Sequence, residues 1–220
     1  MIKGVISDMD GVMLDSEKLY VRFWCEAARF YGFPMNQEHA LGIRSMGRPF
    51  AIAKLQGWFG TAFNYDMVRN KRVELMDSYV SKYGIEAKQG AEKLLRRLKE
   101  NGLKVALATA TPVDRATEYL RQVGLADYFD AICSARQVTR GKPEPDIYLY
   151  AAGRLGLKPG ECLALEDSTN GVRSASSAGC KTVLVPDLDD PSDNLKDYLF
   201  ATVKDLESVV ELIIKTNNEE

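Results

Sequence analysis

From Gly90 onward short apolar runs alternate with longer amphipathic stretches, and this alternation constrains the fold more than any other feature of the chain. A helix is predicted over about 90–101, closed by Asn101-Gly102, and Lys104-Val105-Ala106-Leu107-Ala108 reads as a buried strand. Pro112 to about Val123 reads as helix, Ala131-Ile132-Cys133 as a short strand, and 145–156 as helix again. Cys162-Leu163-Ala164-Leu165 and Thr182-Val183-Leu184-Val185 are further strands, separated by a helix over 169–178. Beyond a loop from Pro186 to about Asp197, a short strand is expected near 201–203. An amphipathic helix over about 205–215 follows, with a frayed polar tail after Lys215. Strands and helices alternating at this length require a parallel sheet with helices on both faces, a doubly wound, Rossmann-like α/β fold. Ligands of such sheets bind beyond the carboxyl ends of the strands.

Near the N-terminus a β-branched run, Val5-Ile6-Ser7, leads into Asp8-Met9-Asp10-Gly11-Val12. In extended chain successive side chains alternate, so Asp8 and Asp10 share a side and Met9 turns away. Two acids beside a glycine can hold a hard cation, or divide nucleophilic and acid–base roles. The plain alternative is a strand that ends in Asp-Gly turn residues. Between about 17 and 85 no strand pattern occurs, and helices are predicted over about 17–31, 36–43, 48–58 and 65–83, the first with Asp15 or Ser16 as N-cap. The expected organisation is an α/β core of residues 1–15 and 86–220 carrying an all-helical insert of residues 16–85.

Charge excludes some partners. The 29 basic and 31 acidic residues leave a net charge of −2, so no global field recruits nucleic acid or an anionic membrane. Cys25, Cys133, Cys162 and Cys180 are widely spaced in mostly apolar surroundings, which suits reduced core thiols in a reducing compartment. No apolar run approaches the ~20 residues of a membrane span, and the first strand begins too early for a signal peptide. A cytoplasmic, monomeric protein is expected. His39 is the only histidine and lies in the polar stretch Asn36-Gln37-Glu38-His39, so proton transfer falls to carboxylates.

Unusual residues gather where the predicted strands end. The first ends in Asp8 and Asp10, the second in Thr109-Ala110-Thr111-Pro112, and the fourth in Glu166-Asp167-Ser168, while Gly141-Lys142-Pro143 follows the third. Each alone has a dull reading: helix caps for Thr109 and Thr111, a solvated cation for Lys142, first-turn acids for Glu166 and Asp167. Together at one sheet edge they compose a phosphoryl-transfer site. Asp8 and Asp167, with Glu166 and a backbone carbonyl at Asp10, supply oxygen ligands for Mg²⁺. Lys142 supplies the opposing charge, and Thr109 with the N–H groups near Ala110 to Pro112 binds phosphate oxygens. Asp8 then attacks phosphorus to give an aspartyl-phosphate, while Asp10 gives a proton to the leaving oxygen and later takes one from water.

These four stretches resemble the motifs of the haloacid dehalogenase-like superfamily. Asp8-Met9-Asp10-Gly11-Val12 looks like its first motif, Ala108-Thr109-Ala110 its second, Lys142-Pro143 its third, and Leu165-Glu166-Asp167-Ser168 with Gly171 its fourth. The insert is similar to the helical cap of the β-phosphoglucomutase-like branch, which closes over the site and sets substrate choice. The resemblance implies Asp8 as nucleophile and Asp10 as acid/base. It implies Mg²⁺ on Asp8, the Asp10 carbonyl and Asp167 with Glu166 close by, and phosphate held by Thr109, Ala110 and Lys142. The mutases of this branch usually carry a histidine near the start of the first cap helix, where this chain has Tyr20. That departure favours a phosphatase of a small phosphorylated metabolite such as a sugar phosphate. A sugar-phosphate mutase is the alternative, and a non-catalytic phosphate-binding module on the same fold is a third reading. Thr111 keeps a hydroxyl where serine is common, and Arg44, Arg48 and Arg72 of the insert are candidates to meet a second phosphate or polar head. Trp24 and Phe23 are expected in the core of the insert.

Overall fold

The computed structural model describes residues 1–188 and 194–219, so part of the loop expected over 186–197 lies outside the described residues. Gly4–Ser7 forms β1, after which the chain leaves the sheet for four helices: α1 (Glu17–Phe30), α2 (Gln37–Gly42), α3 (Arg48–Phe59) and α4 (Tyr65–Tyr83). It returns through α5 (Ala91–Glu100), β2 (Lys104–Thr109), α6 (Val113–Gln122), β3 (Ala131–Ser134), α7 (Asp146–Leu155) and β4 (Cys162–Glu166). α8 (Thr169–Ser177), β5 (Lys181–Leu184), β6 (Ala201–Thr202) and α9 (Ser208–Glu219) complete it. Among the described residues the six strands are all parallel, in the order β3-β2-β1-β4-β5-β6. The order reverses between β1 and β4, and the crevice beyond their carboxyl ends is where such a sheet takes its ligand.

Alternation along the strands builds two cores. Val5, Val105, Leu107, Leu163 and Leu165 face the cluster that receives Leu94 and Leu98 of α5, Leu120 of α6 and Val210 of α9. Ile6, Ala106, Ala108 and Ala164 face the other way, where small side chains let α7 approach with Ile147, Tyr148 and Ala151. A third cluster, with Trp24, Ala28, Met35, Ile43, Leu55, Phe63 and Val68, lies wholly within α1 to α4 and the turns between them. Phe23 does not join it as expected but packs with the sheet-side core. Consecutive helical residues point about 100° apart, so Phe23 and Trp24 serve different cores.

The end of the chain also departs from expectation. The polar tail does not fray after Lys215, because Asn217 accepts a hydrogen bond from the Ile2 N–H at 2.6 Å and donates to the Ile2 carbonyl at 3.0 Å, and α9 continues to Glu219. All four cysteines are buried and free. No described helix is long and apolar enough to cross a membrane.

One local device ties β2 to the turn before β3. Asp130 accepts hydrogen bonds from the Val105 N–H at 2.7 Å and from Lys99 Nζ at 2.8 Å. Partial desolvation pushes its carboxyl up, but the bonds from Lys99 and Val105 outweigh this and hold it below the usual value. A depressed pKa adds stability above the unfolded value and loses it as pH falls through the folded one. Asp130→Ala is expected to cost about 1 kcal/mol in urea unfolding at pH 7, with the cost shrinking in acid.

Candidate active site

β1 carries the first acids to the crevice. The Asp8 N–H still donates to the Leu165 carbonyl at 2.9 Å, so Asp8 keeps the strand's register one residue past β1. The chain then turns on Gly11, whose φ of +84° disfavours a side chain, while Met13 and Leu14 donate back to the Met9 carbonyl at 2.9 Å. Met9 is fully buried in the sheet-side core, and Asp8 and Asp10 line a cavity of roughly 530 Å³ as alternation requires.

Behind Asp8 lies a buried charge network. Lys142, in the loop before α7 and joined to Pro143 by a cis peptide, donates to Asp8 Oδ1 at 2.7 Å, Glu166 Oε1 at 2.6 Å and the Ala108 carbonyl at 3.1 Å. Those bonds use all three hydrogens of its ammonium group. Burial pulls Lys142 down, but Asp8 and Glu166 outweigh it and keep the amine above its usual range. Tyr148 of α7 donates to Glu166 Oε1, and the Ser168 hydroxyl lies 3.3 Å from Glu166 Oε2. Neither tyrosine nor serine was singled out from sequence for contact with Glu166; Tyr148 is one apolar-face residue of α7 among several. Room for Glu166 depends on Gly171, where a Cβ would fall 1.9 Å from its carboxylate. Gly171→Ala is therefore expected to destabilise the protein by about 2 kcal/mol or more, measured by urea denaturation.

Asp10 sits in a different setting. The Ser16 hydroxyl donates to its Oδ1 at 2.5 Å and the Thr111 hydroxyl to its Oδ2 at 3.3 Å. Ser16 is the N-cap of α1 by position, but its side chain makes no capping bond, because Asp10 takes its proton instead. Burial raises the pKa of Asp10, against the two hydroxyl bonds. Burial also pushes Asp8 up to about 7, with Lys142 opposing. The Thr111 N–H is taken by Thr109 Oγ1 at 3.0 Å, so of the helix-start N–H groups expected to meet phosphate, this one is already bonded.

Sequence reasoning brought Asp8, Asp10, Lys142, Glu166 and Asp167 to one crevice, with Thr109 fully buried at the end of β2. Asp8, Asp10, Ala110 and Thr111 line the cavity; Thr109, Lys142, Glu166 and Asp167 are buried beneath and do not. The insert's arginines diverge. Arg44 is buried and donates to the Asp167 carbonyl at 2.7 Å, Arg72 is buried against aromatic rings, and Arg48 is exposed and paired with Asp66 at 2.6 Å. Glu17 was overlooked. It lies on the cavity wall, 5% exposed, and burial pushes its carboxyl up to about 8 with Arg44 opposing. In the sequence it is an acid in the first turn of a helix, which the helix dipole alone would explain.

The acids can take a cation. One oxygen from each of Asp8, Glu166 and Asp167 falls within 4.8 Å of the others, and neither Asp167 oxygen receives a hydrogen bond although both are buried. Gly11 makes the space, since a Cβ there would fall 2.0 Å from Asp167 Oδ2. Buried carboxylate oxygens, two of them with no donor aimed at them, are the hard ligands that Mg²⁺ takes.

A sequence profile of the haloacid dehalogenase-like hydrolases matches residues 2–179. The chain belongs to this family. Among relatives of this hydrolase, the phosphorylated carbohydrates phosphatase of Thermotoga maritima is 34% identical over 92% of the chain and 94% of its own length. Hexitol phosphatase B of Escherichia coli K12 is 32% identical, covering 97% and 96%. In structure the hydrolase is similar to the β-phosphoglucomutase of Clostridium difficile, with a TM-score of 0.82 and 26% identity over 100% of this chain and 98% of that one.

Proposed function

We propose that this hydrolase is a Mg²⁺-dependent phosphatase of a small phosphorylated carbohydrate, working through an aspartyl-phosphate on Asp8. The observation that carries the reading is the unmatched pair of acids at one strand edge. Asp8 faces the cavity with Lys142 bonded at 2.7 Å, and Asp10 faces it held by two hydroxyls.

Asp8, Asp167 and the Asp10 carbonyl would hold the cation with Glu166 beside them, and when bound it would offset the charge of the phosphate and of the acids. Lys142 aims Asp8 and adds a fixed positive charge where the phosphoryl oxygens arrive. Asp8 attacks phosphorus through a carboxylate oxygen, and the P–O bond to the sugar breaks. Burial favours the protonated form of Asp10, so Asp10 can give its proton to the leaving oxygen, one of its two hydroxyl partners turning to accept meanwhile. Asp10 then takes a proton from the water that attacks phosphorus, releasing phosphate and restoring Asp8. The helices α1 to α4 serve as a cap, placing Glu17, Tyr20 and the insert's arginines on the cavity wall to choose the sugar. Buried free thiols suit a reducing, cytoplasmic setting.

The names of the Thermotoga and Escherichia relatives support a phosphatase, and the likeness to a β-phosphoglucomutase supports an isomerase. Tyr20 in place of the mutases' histidine favours the phosphatase. The test is free phosphate released from a panel of sugar and hexitol phosphates, alongside conversion of glucose 1-phosphate to the 6-phosphate. Conversion far above phosphate release would select the mutase.

A further inference from the structure

β5 also ends at the crevice, and the acid beyond it has no part in the chemistry so far. The strand runs beside β4, and past its last residue the Val185 N–H still donates to the Glu166 carbonyl at 2.7 Å. Two residues further on stands Asp187, its side chain 6% exposed. It does not line the cavity, so it is no part of the wall that meets the sugar.

The two oxygens of Asp187 have different surroundings. Lys88 Nζ donates to Oδ1, while Oδ2 is buried and receives no hydrogen bond. Lys88 sits where the chain returns from the helical insert. Its N–H donates to the Met13 carbonyl at 2.9 Å, the Asp15 N–H donates to the Glu86 carbonyl at 2.9 Å, and Leu14 bridges to Ala87. The two crossings between insert and core are thus bonded to each other, and Lys88 ties them to Asp187. Such a tie needs one oxygen of the acid. It does not explain why the other is turned inward and left bare, which is costly unless something donates to it.

Gly11 marks what the bare oxygen faces. A Cβ there would fall 2.0 Å from Asp167 Oδ2 and 3.1 Å from Asp187 Oδ2, so the two oxygens are no more than about 5 Å apart. Neither has a donor, and buried carboxylates at that spacing repel. Asp187 does not join Asp8, Glu166 and Asp167, whose oxygens lie within 4.8 Å of one another, which places it outside the set of direct ligands. Mg²⁺ held by a few carboxylates keeps several waters, and each water has hydrogens to place. An acceptor beside the ligands that fixes such a water strengthens the site.

We propose that Asp187 is a positioning residue of the cation site. Its Oδ2 accepts from a water bound to Mg²⁺, while Lys88 on Oδ1 holds the carboxylate in place and joins the site to the crossings of the insert. The proposal rests on the Mg²⁺ site described above and not on the reaction, so calorimetric titration with Mg²⁺ tests it without turnover. Asp187→Asn is expected to weaken binding about tenfold or more, the usual scale for losing an acceptor behind the ligands. A lost negative charge alone would act in the same direction, so two further variants separate position from field. Asp187→Glu keeps the charge but moves it, and should weaken binding about fivefold or more, where a field effect leaves it at the wild-type value. Lys88→Met removes a cation near Mg²⁺, which by charge alone tightens binding. The expected result is the opposite, a loss of about threefold or more, because Asp187 is no longer held. Wild-type affinity in Asp187→Glu overturns the proposal, and that variant decides alone if Lys88→Met does not fold. A wild type that takes up no Mg²⁺ overturns the cation site and this inference together. The predicted order of affinities in a protein that releases no phosphate upholds the inference and overturns the phosphatase reading instead.

Discussion

Asp8→Asn is expected to lower kcat for phosphate release by about four orders of magnitude or more, the scale seen when a covalent nucleophile is removed. The variant isolates the chemistry because little else should change. An amide oxygen can still accept from Lys142, and Lys142 keeps Glu166 and the Ala108 carbonyl as partners. The substitution also removes a buried acid that Glu166 and Asp10 repel, so the melting temperature should not fall. KM should move little, since the cavity wall beyond Asp8 is untouched. Steady-state phosphate release gives the rate. Acid quenching with labelled substrate, which should trap a phosphorylated wild type and an unlabelled variant, gives the mechanism. Turnover in the variant within tenfold of wild type would remove Asp8 as nucleophile, whereas a wild type that releases no phosphate with Mg²⁺ across a broad panel would return the protein to the class of phosphate-binding modules.

How far this site was legible in the sequence depended on how local each signal is. β1 and β4 announce themselves because both faces of a central parallel strand are buried, so Val5-Ile6 and Leu163-Ala164-Leu165 are continuous apolar runs that stop abruptly at acids. With right-handed crossovers obligatory, ends far apart in sequence had to meet at one edge, and Asp8 and Asp167 do. What stayed hidden is what depends on the angle at which the helical insert sits. Ser16 looks like a helix cap and Glu17 like a first-turn acid, and only the fold turns the first onto Asp10 and buries the second on the cavity wall. The arginines illustrate the same limit: Arg44, Arg48 and Arg72 are equivalent as letters, yet one is tied to Asp167, one is solvated beside Asp66, and one is stacked on Tyr20 and Trp24. Asp187 carried no sequence signal of its own, being one acid of several in a stretch expected as loop.

Asp167→Asn is expected to make the Mg²⁺-free protein more stable while ending its response to the cation. Burial drives the Asp167 carboxyl well above its usual range, Arg44 opposes, and Glu17, Asp8 and Glu166 add to the rise. Arg44 Nη1 lies 3.6 Å from Oδ2, too far for a hydrogen bond, and neither oxygen has a donor. A carboxyl whose folded pKa is raised contributes stability only below its unfolded value, near about 4, and that contribution is lost as pH rises toward the folded one. Without Mg²⁺ the wild type should therefore lose stability between pH 5 and 8, and the variant should lose less. At pH 8 the neutral amide is expected to gain about 2 kcal/mol, the scale on which replacing a poorly compensated buried charge stabilises a fold. Saturating Mg²⁺ should reverse the order, since a ligand at a hundred times its Kd adds about 2.7 kcal/mol to a protein that binds it and nothing to one that does not. Thermal melts at pH 5 and 8, with EDTA or with Mg²⁺, read all four states. A variant that melts below the wild type in EDTA at pH 8 would mean that Arg44 already satisfies Asp167. The two bare oxygens would then be no sign of a cation. The predicted crossover would instead mark Asp167 as a residue whose cost to the fold is offset only when the site is filled.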